Sequence, residues 1–200
     1  MKRRDFDIPH QWQLRCAPEE LSEIILDTSC YAQWCARILL NCEIVETGDK
    51  QGRGLSIRVH TKGWLPYSFL FDAKIVDLEP HRWMKVQVNG DFEGSCLLEV
   101  TGFDGVNTRL NLHWQVDLHH PVLRRLRPLL HPVMVANHRW AVGWIRRMMQ
   151  RELDRRRAGI NMISAPKPTF GGFLGFQAAR HQARAAGRGW QKALKQRHTD

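Results

Sequence analysis

From residue 38 to residue 118, apolar side chains recur at every second position, and turn sequences cut the series at roughly 10-residue spacing. Leu55, Ile57, Val59 and Thr61 alternate with Ser56, Arg58, His60 and Lys62. After Gly63-Trp64-Leu65-Pro66, the residues Tyr67, Phe69, Phe71, Ala73 and Ile75 alternate with Ser68, Leu70, Asp72 and Lys74. The pattern returns at Met84, Val86 and Val88, at Phe92, Cys96, Leu98 and Val100, and at Leu110, Leu112, Trp114 and Val116. A period of two is that of a strand with one buried row, and tight connections make neighbouring strands antiparallel. With the stretch from Leu39 to Thr47, which ends at Gly48-Asp49, the segment predicts a six-stranded meander. A seventh strand precedes it over residues 8–17, where His10, Trp12, Leu14 and Cys16 face one way.

Helical signals bracket the meander. Ala17-Pro18-Glu19-Glu20 opens a helix with proline near its first position and acids in its first turn, where the helix dipole favours them. A second short helix follows around 28–37 and is anchored by Trp34. At Pro121 the period changes to that of a long helix reaching about Leu153. Met134, Asn137, His138, Ala141, Ile145 and Met148 share one face, and Arg139, Arg146 and Arg147 fall towards the other. Pro128 and Pro132 predict an irregular entry. The expected class is α+β: a curved seven-stranded antiparallel sheet around a long C-terminal helix, with two short helices after the first strand.

Charge divides the chain at the end of that helix. Residues 1–153 hold 20 basic and 18 acidic residues, whereas residues 154–200 hold 10 and 2, so the formal net charge of +10 belongs mostly to the extension. Residues 1–153 are read as the folded domain. In 154–200, a Gly/Pro-containing linker precedes a basic amphipathic stretch over 176–195. Nothing is apolar enough for about 18 residues to span a bilayer. No leader-like apolar stretch follows Met1, and the five cysteines form no CxxC pair. The expectation is a cytoplasmic protein with reduced thiols and no metal or cofactor. Cys30, Cys35 and Cys42 are poorly spaced for zinc, and the adjacent His119 and His120 do not converge on one ion.

The inward rows are rich in aromatic residues: Trp12, Tyr67, Phe69, Phe71, Phe92 and Trp114, with Trp140 and Trp144 on or beside the helix face. These rings either fill the core or wall a cavity for an apolar molecule, and periodicity alone leaves both open. Several stretches resemble one superfamily. They are Ala17-Pro18-Glu19-Glu20-Leu21, Tyr31-Ala32-Gln33-Trp34-Cys35, Gly52-Arg53-Gly54, Leu65-Pro66-Tyr67, Gly90-Asp91-Phe92-Glu93-Gly94 and Asn137-His138-Arg139-Trp140. In order and spacing, across roughly residues 8–153, they resemble the polyketide cyclase/dehydrase-like branch of the START-like (SRPBCC) superfamily. That resemblance implies a helix-grip fold and a cavity that takes a lipid, polyketide or quinone-like ligand.

Trp12, Phe69, Phe71, Phe92 and Trp114 are expected to touch such a ligand from the sheet, and Asn137, Ala141 and Trp144 from the helix. Cyclisation or dehydration needs an acid/base group in a dry pocket, for which His138 and Tyr67 are the candidates. Each also fits a purely structural role. Asp91 and Glu93 lie at a hairpin, where carboxylates are normally solvated, and parity puts His60 and His113 on the outward rows. No nucleophile-elbow, phosphate-loop or metalloprotease motif occurs. The expected function is binding or carrying a hydrophobic small molecule, with a cyclase/dehydrase-type enzyme as the alternative. The basic residues within 155–197 form a solvated face, touch an anionic membrane surface as a peripheral protein would, or bind nucleic acid. No nucleic-acid motif supports the last of these.

Overall fold

The computed structural model describes residues 4–119 and 121–160; for residues 121–124 and 126–128 it describes the backbone only. Strand β1 (Phe6–Leu14) leads into α1 (Pro18–Leu26), a 3-10 turn (Thr28–Cys30) and α2 (Tyr31–Trp34). Six strands follow: β2 (Leu39–Thr47), β3 (Leu55–Lys62), β4 (Ser68–Glu79), β5 (Trp83–Gly90), β6 (Phe92–Phe103) and β7 (Thr108–Leu118). The long helix α3 (Pro121–Arg157) completes the order. All pairings are antiparallel, and the strand order is β1-β7-β6-β5-β4-β3-β2.

Bulges bend this sheet. Register shifts fall at Leu39/Asn41 and Ile44/Glu46 in β2, at Ile75/Asp77 in β4 and at Val100/Gly102 in β6. Each inserts an unpaired residue, which increases local twist and curls the strand. Gly90 closes the β5–β6 hairpin at φ +139°, where an added Cβ would lie 2.7 Å from the Leu70 carbonyl oxygen, so no larger residue fits that approach.

Two apolar clusters hold α3 against the concave face. At one end Leu14, Leu21, Ile24, Ile38 and Leu110 pack with Met148, Met149 and Leu153. At the other, Phe6, Ile8, Phe92, Val116 and Leu118 pack with Met134. The second helical segment is a 3-10 turn joined to a single α-turn rather than one helix over 28–37, and β1 begins at Phe6, before residue 8.

The helix also runs past residue 153, and its last residues belong to the folded unit. Arg155 makes a two-pronged pair with Glu152 at 2.7 Å on both oxygens. Arg156 bridges Glu152 (2.8 Å) and Asp27 (2.6 Å), while Arg157 holds Glu20 and the Arg15 carbonyl oxygen (2.8 Å). These contacts tie the end of α3 to α1 and to the turn after it. Glu152 is only 3% exposed, and its arginine hydrogen bonds, chiefly from Arg155, hold its carboxyl below the usual carboxylate range. The linker and basic stretch expected over 161–200 lie outside the described residues.

Glu152→Gln should lower stability by about 3 kcal/mol at neutral pH, because two arginines lose a buried ionic partner. The folded-state pKa is depressed, so the wild-type advantage is complete above the unfolded value near 4.5 and fades as pH falls through the folded value. Thermal unfolding of both proteins from pH 7 to pH 3 should show the melting temperatures converging on the acid side.

Candidate functional site

Between the two clusters, where α3 bridges the curve of the sheet, lies a cavity of about 210 Å³. One water centre needs roughly 15 Å³, so this space takes a molecule of many atoms. Its wall is a run of rings: Tyr67 to Phe69 at 5.1 Å, Phe69 to Phe92 at 4.5 Å, Phe92 to Trp114 at 5.8 Å and Trp114 to Phe71 at 6.0 Å. Most of these meet edge-on or tilted, the arrangement aromatic quadrupoles favour.

The strand alternation carries most of the expected residues to this wall. Trp12, Tyr67, Phe69, Phe71, Phe92 and Trp114 line it from the sheet, and Asn137, His138 and Ala141 line it from α3. Trp144 does not. It lies one residue before the lining Ile145, hence about 100° around the helix, where its ring packs beside Trp140 and under the Arg37 guanidinium at 4.2 Å. Phe6, Ile38, Leu39 and Cys96 also line the cavity. Continuing the β1 alternation backwards from His10 would have found Phe6.

Thr61, Lys62 and Gly63 line the cavity consecutively, so the alternation fails as β3 ends. Lys62, which parity sends outward, is 3% exposed, and burial lowers its pKa. His60, assigned by the same parity to an outward row, is buried with Nε2 2.9 Å from Ser68 Oγ, and it is not in the cavity wall. His113 contacts Asp7, Glu93 faces His119 at 3.2 Å, and Asp91 accepts the Leu70 N–H at 2.8 Å; none of these three lines the cavity.

Polar side chains interrupt the apolar wall at Thr61, Lys62, Tyr67, Asn137 and His138. The Tyr67 hydroxyl and His138 Nε2 are buried without a hydrogen-bond partner among the described residues. Burial pushes the Tyr67 pKa up to about 12, so the phenol keeps its proton at all physiological pH values. His138 is driven down to about 3, first by burial and then by the charges of His10 and Arg139, so its imidazole is neutral. Its ring stacks on Trp114 at 5.6 Å and meets His10 at 5.2 Å. His10 Nε2 is likewise buried without a partner.

Asn137 lines the cavity, but its carboxamide oxygen is already engaged. It accepts the Trp64 N–H at 2.8 Å and the Leu65 N–H at 3.2 Å, pinning the β3–β4 loop to α3. A Cβ on Gly63 would lie 2.1 Å from that oxygen, so the loop backbone must pass this close with no side chain. Asn137 thereby positions the loop that delivers Tyr67. Asn137→Ala should cost about 2 kcal/mol, the penalty for stripping backbone donors of their acceptor. Amide exchange read by mass spectrometry should accelerate at Trp64 and Leu65 first.

No protein-family model matches the sequence, and no curated protein matches it. Solved structures do. Zhui aromatase/cyclase from Streptomyces sp. R1128 aligns with a TM-score of 0.61 at 17% identity, over 78% of this chain and 98% of its own. A conserved protein from Geobacillus kaustophilus gives 0.59 at 13% identity, over 75% and 96%. A START superfamily protein from Mycobacterium smegmatis gives 0.56 at 13%, over 75% and 98%. With seven antiparallel strands in meander order curled around one long C-terminal helix, this chain has the START-like, helix-grip fold.

Proposed function

We propose that this protein binds a small, mainly apolar and aromatic molecule that carries a hydroxyl or carbonyl group. The observation behind this reading is that Tyr67 and His138 line a largely apolar cavity while the Tyr67 hydroxyl and His138 Nε2 are buried without a hydrogen-bond partner among the described residues. Leaving such an atom unsatisfied costs about 1–3 kcal/mol, and a guest with a matching polar group recovers that cost. Phenol, quinone and polyketide-like ligands share this chemistry, and a purely aliphatic lipid lacks it. The aromatase/cyclase neighbour is consistent with such a guest. Among the other wall residues, Trp12, Phe69, Phe71, Phe92, Trp114 and Ala141 would contribute apolar contact and shape.

Tyr67 and His138 serve recognition better than proton abstraction. A general base works best with a pKa near the operating pH, and burial holds His138 at about 3. The neutral ring still donates or accepts one hydrogen bond to a ligand oxygen.

Titration with 2-naphthol and with naphthalene tests the reading. Wild type should prefer 2-naphthol by about tenfold, the value of one well-placed hydrogen bond, and Tyr67→Phe should remove most of that preference. Because the mutation also deletes a buried hydroxyl without a partner, the ligand-free variant should melt no lower than wild type. Equal affinity for the two probes, or no binding of either, would refute the proposal. A second measurement addresses catalysis. With 2-tetralone in deuterated buffer, α-proton exchange at the buffer rate is expected for both wild type and His138→Gln. Exchange accelerated by wild type and lost in the variant would instead establish His138 as a base.

A further inference from the structure

The basic end of the chain divides in the folded structure. Arg155, Arg156 and Arg157 all hold intramolecular acids, so they contribute to the fold and are not free charges waiting for phosphate. The first thirty-odd residues of α3 are different. From Pro121 to Arg151 the sequence contains arginine and no Asp or Glu, with Arg124, Arg125 and Arg127 in the opening turns. Cations there oppose the positive end of the helix dipole and so do not stabilise the helix. Arg125 is exposed.

The same part of α3 carries exposed apolar residues. Its sheet-facing side is satisfied: Met134 and Leu130 pack with Phe6, and His131 stacks on Phe6 at 5.4 Å and meets the Asp5 carbonyl oxygen at 3.1 Å. A second stripe, at intervals of four residues, comprises Arg125, Leu129, Val133 and Asn137. Asn137 is the residue that grips the β3–β4 loop. One turn before it Val133 is 39% exposed, and two turns before it Leu129 is 80% exposed. Trp64, whose backbone Asn137 holds, is 37% exposed. Gly63, Met134 and Asn137 line the cavity, and their immediate neighbours Trp64 and Val133 turn outward. Exposed apolar residues with an exposed arginine on the same helix stripe therefore lie beside one end of the cavity.

We propose that this patch, formed by Trp64, Leu129 and Val133 and flanked by Arg125, docks the protein on an anionic lipid bilayer. Tryptophan and aliphatic side chains partition into the headgroup–acyl boundary, while arginine engages phosphate. The charge balance selects this partner, because an acid-free arginine segment complements an anionic surface, and the exposed aliphatic residues would gain nothing from a nucleic-acid backbone. The docking surface is thus the patch beside the cavity and not the helix terminus at Arg155–Arg157. Docking there would put the cavity next to the phase in which apolar molecules dissolve.

Flotation of the full chain with vesicles tests the proposal, using phosphatidylcholine alone and phosphatidylcholine mixed with phosphatidylglycerol. Wild type should float with the mixed vesicles and weaken as salt rises. Leu129→Ser combined with Val133→Ser should reduce partitioning at least tenfold. Arg125→Glu should reduce it about fivefold or more, since each arginine near such a surface counts for about that factor. All three positions face outward, so unchanged melting curves should accompany the loss. Full partitioning by the patch variants overturns the proposal, as does equal binding to neutral vesicles. So does binding lost only when Arg180 and Arg184 in the C-terminal extension are reversed to Glu. No cavity ligand enters the measurement, so its failure leaves the ligand-binding reading intact, and the reverse also holds.

Discussion

One helix laid across a sheet that curls through four register shifts touches it well only where the curve brings strand and helix together. Here those places are the two ends, where Leu14, Ile24 and Leu110 meet Met148 and Leu153, and where Phe6, Phe92 and Val116 meet Met134. Between them a cavity remains, beside which His138 of α3 stacks on Trp114 of β7. Space that would cost stability in an ordinary core is tolerated because each end is closed independently. The Glu152 network at the tail of α3 and the Asn137 grip on the β3–β4 loop keep the helix from sinking or sliding to fill it.

That geometry also explains the unusual state of the polar groups in the wall. Tyr67 and His138 line that space, their hydroxyl and Nε2 have no hydrogen-bond partner among the described residues, and burial raises one pKa and lowers the other. Both groups consequently stay neutral. In a largely apolar chamber these two neutral groups discriminate by hydrogen bonding and shape, and Lys62 adds an ionisable amine to the same wall. A ligand oxygen gains most in such a place, since the low local dielectric strengthens each hydrogen bond it makes.

The charge of the chain falls into groups with separate physical roles. Arginines at the end of α3 are spent on Glu152, Asp27 and Glu20 and hold the helix to α1. Arg37 lies over the indoles of Trp140 and Trp144, which takes Trp144 out of the cavity wall. The start of α3 has arginine without acids, next to exposed aliphatic residues, an unfavourable arrangement for an isolated helix in water. A net charge of +10 thus says little until each cation is placed against its neighbours.

Alternation in the meander located every strand, because a half-buried sheet imprints a period of two on local sequence, although β4 and β6 run past the alternating stretches to Glu79 and Phe103. It also put Trp12, Tyr67, Phe69, Phe71, Phe92 and Trp114 on one surface, since every second residue along a strand returns to the same face. Where strands end, that rule fails: Lys62 and Gly63 entered the wall as β3 left the sheet, and buried His60 paired with Ser68. Helix periodicity likewise grouped Asn137, His138 and Ala141, yet could not show that the Asn137 oxygen is taken by two loop N–H groups. Nor could it show that Trp144 turns away towards Arg37. The sequence by itself determined the elements, their order and the aromatic rows, all of which depend on spacing within about a dozen residues. Only the tertiary structure decided that those rows line a cavity and leave the Tyr67 hydroxyl and His138 Nε2 without partners among the described residues, because both depend on how far apart curvature and end-packing hold a helix and a sheet distant in sequence.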